Sequence, residues 1–193
     1  MQLSTSLILA SSSPRRQRLL REAGYAFEID APQVEEATAE SHSHFTPIEL
    51  ARYNAWLKVC EVSSRHPEKL VVAADTLVFM GLDVFGKPAN LDDARRMLRS
   101  LRGREHRVVT AVACVRAATG QQAFFHVISR VSFRVFSEDE LEEYLSCVHV
   151  LDKSGAYAFQ EKTEIILDRL DGLVSNVIGL PIEKMYAVLK RAY

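Results

Sequence analysis

Cys60, Cys114 and Cys147 are the only cysteines in the 193-residue chain. They are odd in number, far apart and without C-x-x-C spacing. That pattern excludes a disulfide framework or a cysteine-based zinc or redox motif and leaves buried, reduced thiols as the expectation. No apolar run reaches the roughly 18–20 residues of a membrane span, and the N-terminal stretch lacks the charged and apolar regions of a secretory signal. A cytoplasmic protein without membrane partners is the expectation. Neither charge sign prevails: 24 Lys and Arg against 25 Asp and Glu leave a net charge of −1. Bulk electrostatics therefore favours neither nucleic acid nor an anionic surface, and any anion site has to be local. P-loop, G-x-G-x-x-G and G-x-S-x-G motifs are missing, as is a basic–aromatic stripe for nucleic acid. His42 and His44 have no third metal ligand close by in sequence. Internal repeats, linkers and low-complexity tracts are also lacking, so residues 1–193 read as one domain.

What is present is an alternation of strand-like and helix-like segments. Residues 7–10 read as a short buried strand, followed by a helix over 14–23 that Ser13 caps, Pro14 opens and Gly24 stops. A second strand follows at 27–30, then a polar, acidic loop over 32–45. Thr46-Pro47-Ile48-Glu49 forms a capping box for a helix to about residue 64. "LVVAADTLVFM" is a long apolar strand broken by Asp75 and Thr76. Asn90 caps a helix with Ala94, Met97, Leu98 and Leu101 on one face. Two β-rich runs, 107–115 and 123–135, flank a turn at Thr119-Gly120. Ser137 opens another helix through a capping box, an apolar strand is expected over 164–170, and a last helix from Pro181. This predicts an α/β fold whose sheet mixes parallel and antiparallel pairs.

Four features are costly or unusual unless they serve a site. Arg15 and Arg16 fall in the first turn of a helix, where the macrodipole disfavours cations. Free N–H groups of that turn, the hydroxyls of Ser11, Ser12 and Ser13, and two guanidinium forks together make an anion site. The competing reading is an exposed basic turn whose arginines reach acids such as Glu22. Asp75 is a carboxylate in a strand that otherwise reads as buried, which requires a partner, hydrogen bonds or a metal. It is either a strand-end Asp satisfied by backbone N–H groups, or a metal ligand or general base. Lys87, in "FGKPAN", sits in a constrained loop as a solvated side chain or a phosphate contact. Glu35 and Glu36 follow the second strand; one of them with Asp75 would suffice for Mg²⁺ alongside phosphate oxygens.

Taken in order, "LASSSPRRQRLL", "VEE", "AADTLV", "GKP", "LDKSGAYAFQ" and "NVIGLPIEKM" make the chain resemble the Maf family of nucleoside triphosphate pyrophosphatases over essentially its whole length. The resemblance implies a long mixed β-sheet flanked by helices, with two lobes and a cleft between them. It also implies a divalent-metal-dependent hydrolysis of a nucleoside triphosphate to the monophosphate and pyrophosphate. Asp75 matches the family's general base, and Ser11, Arg15, Arg16, Glu36 and Lys87 its other polar site positions, with Mg²⁺ or Mn²⁺ on Asp75 and Glu36. Arg15, Thr76 and Gln160 stand at three specificity positions in the combination of the dTTP/UTP branch, where Thr76 and Gln160 would read the pyrimidine edge. Two departures stand out. Arg52-Tyr53-Asn54-Ala55 occupies a stretch where the family usually has R-E-K-A, and Lys58, one turn further along the same face, is the nearest replacement cation. Glu161-Lys162 follows Gln160 where a Gly is usual.

Two readings of other classes compete. One is a non-catalytic nucleotide-binding regulator of cell division, resting on Asn54. The other is a nucleic-acid-binding module built on "SPRR" and the Arg-rich helix 95–104. A homodimer is a plausible assembly for a compact metabolic enzyme.

Overall fold

A computed structural model describes residues 7–192. Its centre is a seven-stranded sheet in the order β2 (Phe27–Ile29), β1 (Leu7–Leu9), β3 (Leu70–Met80), β5 (Glu105–Arg116), β6 (Gln121–Phe133) and β7 (Leu167–Asp171), with β4 (Asp83–Phe85) paired to β3. β1 lies parallel to both β2 and β3, and all other pairs are antiparallel. β5 and β6 form the expected hairpin, closed by a 3₁₀ turn and by Gly120 at φ 70°. The mixed, open sheet agrees with the expectation from sequence.

β1 is short and β3 is long, and this mismatch creates the cleft. β1 ends opposite Val72, whereas β3 continues to Met80 and meets β4 (Asp83–Phe85) only from Val78 onward. Between those points one edge of β3 has no strand partner among the described residues. There the chain leaving β1 turns into α1 (Pro14–Glu22). In open α/β sheets such a crevice, beyond the carboxyl ends of parallel strands, is where ligands bind.

Strand alternation then sends β3 side chains to two different layers. Val71, Ala73 and Phe79 join the core beneath α2 (Pro47–Arg65), with Ala55, Val59 and Val62. Val72 and Ala74 face the opposite core, with Leu20 of α1 and Leu180, Met185 and Leu189, the last two on α7 (Ile182–Ala192). A third core holds Leu98 and Leu101 of α3 (Leu91–Leu101) against Leu141 and Tyr144 of α4 (Glu138–Cys147).

The capping boxes at Thr46 and Ser137 and the Asn90 cap all form. The Ser13 expectation is corrected: Ser13 holds the N-cap position but its hydroxyl makes no cap bond, and its N–H donates to Ser11 Oγ at 3.2 Å. The strand expected over 164–170 is a helical turn, α5 (Thr163–Ile166), followed by β7 (Leu167–Asp171). Arg134 causes the difference, donating from its backbone N to Ile166 O and from Nε to Ile165 O. A further short helix, α6 (Val174–Ile178), and β4 were not anticipated. Buried thiols hold for Cys114 alone; Cys60 and Cys147 are exposed. Among the described residues no helix is long and apolar enough to cross a membrane.

Arg95, Arg96, Arg99 and Arg102, in and just after α3, all pair with carboxylates, exposed Arg96 with Asp93 of its own helix and the three others with α4. Arg95 pairs with Glu142, and Arg99 and Arg102 both reach Glu138 of α4. The Arg-rich helix is therefore a helix–helix seam.

Candidate active site

One cleft of about 900 Å³ is lined by all ten residues singled out from sequence: Ser11, Ser13, Arg15, Arg16, Glu36, Lys58, Asp75, Thr76, Lys87 and Gln160. They come from six places. The β1–α1 turn supplies the serines and arginines. The loop after β2 supplies Glu36, α2 supplies Lys58, β3 supplies Asp75 and Thr76, and the segments after β4 and α4 supply Lys87 and Gln160. Glu35, the other carboxylate of the pair, does not line the cleft.

Asp75 lies in the middle of β3, in register with Ala111 of β5, and is 5 % exposed. On the α2 side of the sheet its Oδ1 accepts a hydrogen bond from Lys58 Nζ at 2.7 Å, and Nζ also lies 3.0 Å from Glu36 Oε1. The strand-end reading, with Asp75 satisfied by backbone N–H groups, does not describe the site. Lys58 is itself buried and Glu36 about half exposed, so one ammonium bridges an inner and an outer carboxylate. Asp75 Oδ2 is buried with no hydrogen-bond partner among the described residues. A buried, charged acceptor of this kind is costly unless a ligand completes it. Two oxygen donors at a cleft wall suit a hard divalent cation, and among the described residues no cluster of three or more His, Cys, Asp or Glu forms a self-sufficient metal site. The donor set fits Mg²⁺ or Mn²⁺ that takes its remaining ligands from substrate and water.

Thr76, the next residue, points to the opposite side. Its Oγ1 accepts from Arg16 NH2 at 3.1 Å and lies 2.9 Å from Thr110 Oγ1, which donates to Asn176 O. Arg16 is held further by Ser11 Oγ at 3.2 Å and by Gly179 O at 2.8 Å. Burial pulls the Arg16 pKa down, and the nearby charges of Asp75 and Glu36 work against that fall. The guanidinium that seemed misplaced at a helix N-terminus is thus a half-buried group, oriented by one bond each from Nε, NH1 and NH2. Neither Arg15 nor Arg16 reaches Glu22, which pairs with Arg18 instead.

Arg15 crosses the cleft mouth to Asp152, at 2.6 Å from its carboxylate. Asp152 sits near the start of the far wall, residues 152–160, where Lys153 also bonds it. Burial raises its pKa, but the hydrogen bonds from Lys153 and Arg15 outweigh that and hold it at about 2. Ser154 Oγ donates to Thr76 O and Gly155 N–H to Gly86 O, tying this wall to β3 and to the Lys87 loop. Tyr144 OH, accepting from Ala158 N–H at 2.9 Å, fixes the backbone two residues before Gln160. Sequence reasoning missed Asp152, Lys153 and Tyr144, because nothing local marks them as neighbours of the β1–α1 turn or of Gln160.

The pattern of residues and the cleft can be set against known proteins. A model of the family described as Maf-like protein matches residues 6–192. The chain belongs to the Maf family. This Maf chain is 37 % identical over 190 residues to a dTTP/UTP pyrophosphatase of Dictyoglomus thermophilum, covering 98 % of its own length and 97 % of the relative. It is 42 % identical over 183 residues to a dTTP/UTP pyrophosphatase of Akkermansia muciniphila, covering 95 % and 94 %. In fold it is similar to the solved structure of a HAM1 protein from Coxiella burnetii, with a TM-score of 0.55 at 15 % identity over 97 % of this chain and 100 % of that one. Within the Maf chain a lysine stands on both carboxylates, Lys58, one turn after Asn54.

Proposed function

We propose that this chain hydrolyses nucleoside triphosphates, dTTP and UTP foremost, to the monophosphate and pyrophosphate. The observation that carries this reading is the free Oδ2 of buried Asp75 beside Glu36 and Lys58, in a cleft shared with the N-terminus of α1. The relatives' activity and the three specificity residues support the choice of substrates.

The triphosphate would lie along the β1–α1 turn. N–H groups of the first turn, Arg15, Arg16 and Lys87 would hold its oxygens, as preorganised donors whose field costs no rearrangement. Asp75 and Glu36 would hold a divalent cation, which, when bound, would offset phosphate charge and make a nearby water more acidic. Asp75 orients the attacking water and accepts its proton. The water oxygen bonds to the α phosphorus, the bond from that phosphorus to the bridging oxygen breaks, and pyrophosphate leaves with the electron pair. Lys58, bonded to Oδ1, keeps Asp75 aimed. Gln160 would read the base, since an amide pairs with both a carbonyl and a ring N–H. Thr76 would influence base choice through Arg16, which its hydroxyl already holds.

The non-catalytic reading loses its main support, because Lys58 supplies a cation that Asn54 cannot. Pyrophosphate release with Mg²⁺ or Mn²⁺ across dTTP, UTP, CTP, GTP, ATP and 7-methyl-GTP tests the proposal. Fastest release from dTTP and UTP, lost on chelation, is expected. Nucleotide binding without release would overturn the catalytic reading, and release from another base alone would overturn the roles of Thr76 and Gln160.

A further inference from the structure

Asn54 is one of the most deeply buried polar residues of the chain, 2 % exposed, on the cleft side of α2. Its side chain makes two hydrogen bonds to one residue: Oδ1 accepts from Ala37 N–H at 2.8 Å, and Nδ2 donates to Ala37 O at 3.0 Å. Ala37 immediately follows Glu36 in a loop that forms no regular element between β2 and α2. Without regular structure, the loop takes its position from such side-chain anchors. One turn after Asn54, Lys58 Nζ lies 3.0 Å from Glu36; after it, Glu61 accepts from Gln33 N–H at 3.1 Å. Asn54, Lys58 and Glu61, at helical spacing on one face, thus meet Ala37, Glu36 and Gln33 in reverse order.

We infer that Asn54 is a positioning residue that sets Glu36 beside Asp75 by clamping the two peptide groups that flank the Cα of Ala37, and so governs divalent-cation affinity. Amide chemistry explains the residue. A clamp on both the N–H and the C=O of one residue needs an acceptor and a donor on the same short side chain, and Asn has both. An ammonium has no acceptor, so a lysine at position 54 could not make this clamp. The charge is supplied from position 58 instead, where it bridges the two carboxylates directly. Asn54 and Lys58 divide two tasks: one fixes the backbone of the loop, the other its charge. This inference rests on the proposed cation site at Asp75 and Glu36.

The test uses Mn²⁺ binding rather than turnover. Calorimetry would follow Mn²⁺ titrated into the full-length protein saturated with the α,β-methylene analogue of dTTP, whose scissile bridge cannot be hydrolysed. Asn54→Leu removes both bonds while keeping the number and branching of the side-chain heavy atoms, and Asn54→Lys tests charge without an acceptor. Partners that orient metal ligands are worth about 10–100-fold in affinity, so each variant is expected to bind Mn²⁺ at least tenfold more weakly. Amide exchange at Ala37 should accelerate in both. In a Glu36→Gln background, where the carboxylate is gone, Asn54→Leu should cause no further loss. Unchanged Mn²⁺ affinity in folded Asn54→Leu, or a loss that persists in full without Glu36, would overturn the inference. Failure of the wild-type protein to bind Mn²⁺ with the analogue would instead overturn the cation site on which it stands.

Discussion

Lys58 Nζ lies 2.7 Å from Asp75 Oδ1, with both side chains buried, and the other oxygen of Asp75 is left without a partner among the described residues. This half-satisfied ion pair has two consequences. The ammonium offsets part of the cost of burying a carboxylate, and the bare oxygen remains available at the cleft. Such an arrangement is poor as a stability device, because desolvation of both ions consumes most of the Coulombic gain. It is well suited to a group with one oxygen held in place and the other open to a ligand.

Lys58→Met should therefore destabilise the protein strongly, since it leaves a buried carboxylate uncompensated, at a cost of about 3–5 kcal/mol. Mn²⁺ should restore part of the loss by binding the folded state. Thermal unfolding in chelator and in Mn²⁺ checks this. The variant should gain more from the metal than the wild type does, and an equal gain would show that the cation does not share the Lys58 carboxylates.

Asp75→Asn keeps the shape and removes the base. The variant should fold, retain nucleotide binding and lose at least about 100-fold in turnover, the low end of what a positioned general base contributes. Pyrophosphate release and circular dichroism on the same sample decide it. A well-folded variant with near wild-type rate would rule out the mechanism.

Arg15 and Lys87 line the cleft and are proposed to hold phosphate charge. Arg15→Ala and Lys87→Ala should each weaken substrate binding, turnover or both, with charge-assisted hydrogen bonds worth about 1.5–3 kcal/mol setting the scale. Initial-rate kinetics separate the two effects. Asp152 competes for Arg15 in the free protein, so Asp152→Asn should lower KM if the pair must open for substrate to bind, and leave it unchanged if it stays closed.

Buried His106, whose Nε2 lies 3.1 Å from Tyr157 OH, has its pKa pushed down to about 4 by burial. In the unfolded chain an imidazole titrates near 6.5. Between those values the unfolded state binds more protons, so folding stability rises with pH across this window and is lost as pH falls through it. The loss should reach about 3 kcal/mol near pH 4. Urea unfolding at several pH values should show this slope, and His106→Gln should flatten it. Asp152 contributes in the same direction but lower: its depressed pKa of about 2 gives stability that is present above about 4 and fades as pH falls toward 2.

Much of the fold is legible in local sequence. The caps at Thr46, Asn90 and Ser137 form because the side chain and the N–H group it satisfies lie three residues apart. The β5–β6 hairpin forms because its turn residues and alternating runs are adjacent. Local patterning failed at residues 163–166, where Arg134, far away in sequence, decides between strand and helical turn through the carbonyls of Ile165 and Ile166. It failed again for Ser13, whose hydroxyl has no cap role.

For the site, the cost of burial or of misplaced charge singled out Asp75, Arg15 and Arg16, and the resemblance to the Maf family added Lys87 and selected Glu36 over Glu35. Sequence by itself determined the first three, because the cost of a charge in a strand or at the wrong helix end is a local property. Only the tertiary structure decided what each one meets. Strand alternation separates Asp75 from Thr76, but the packing of α2 and α1 on opposite faces gives one a lysine and the other an arginine. Likewise, the facing of the α2 ladder toward the loop after β2 turns Asn54 from a missing lysine into a backbone clamp. Those pairings depend on sheet register and on how distant segments pack, and no single stretch of the chain encodes them.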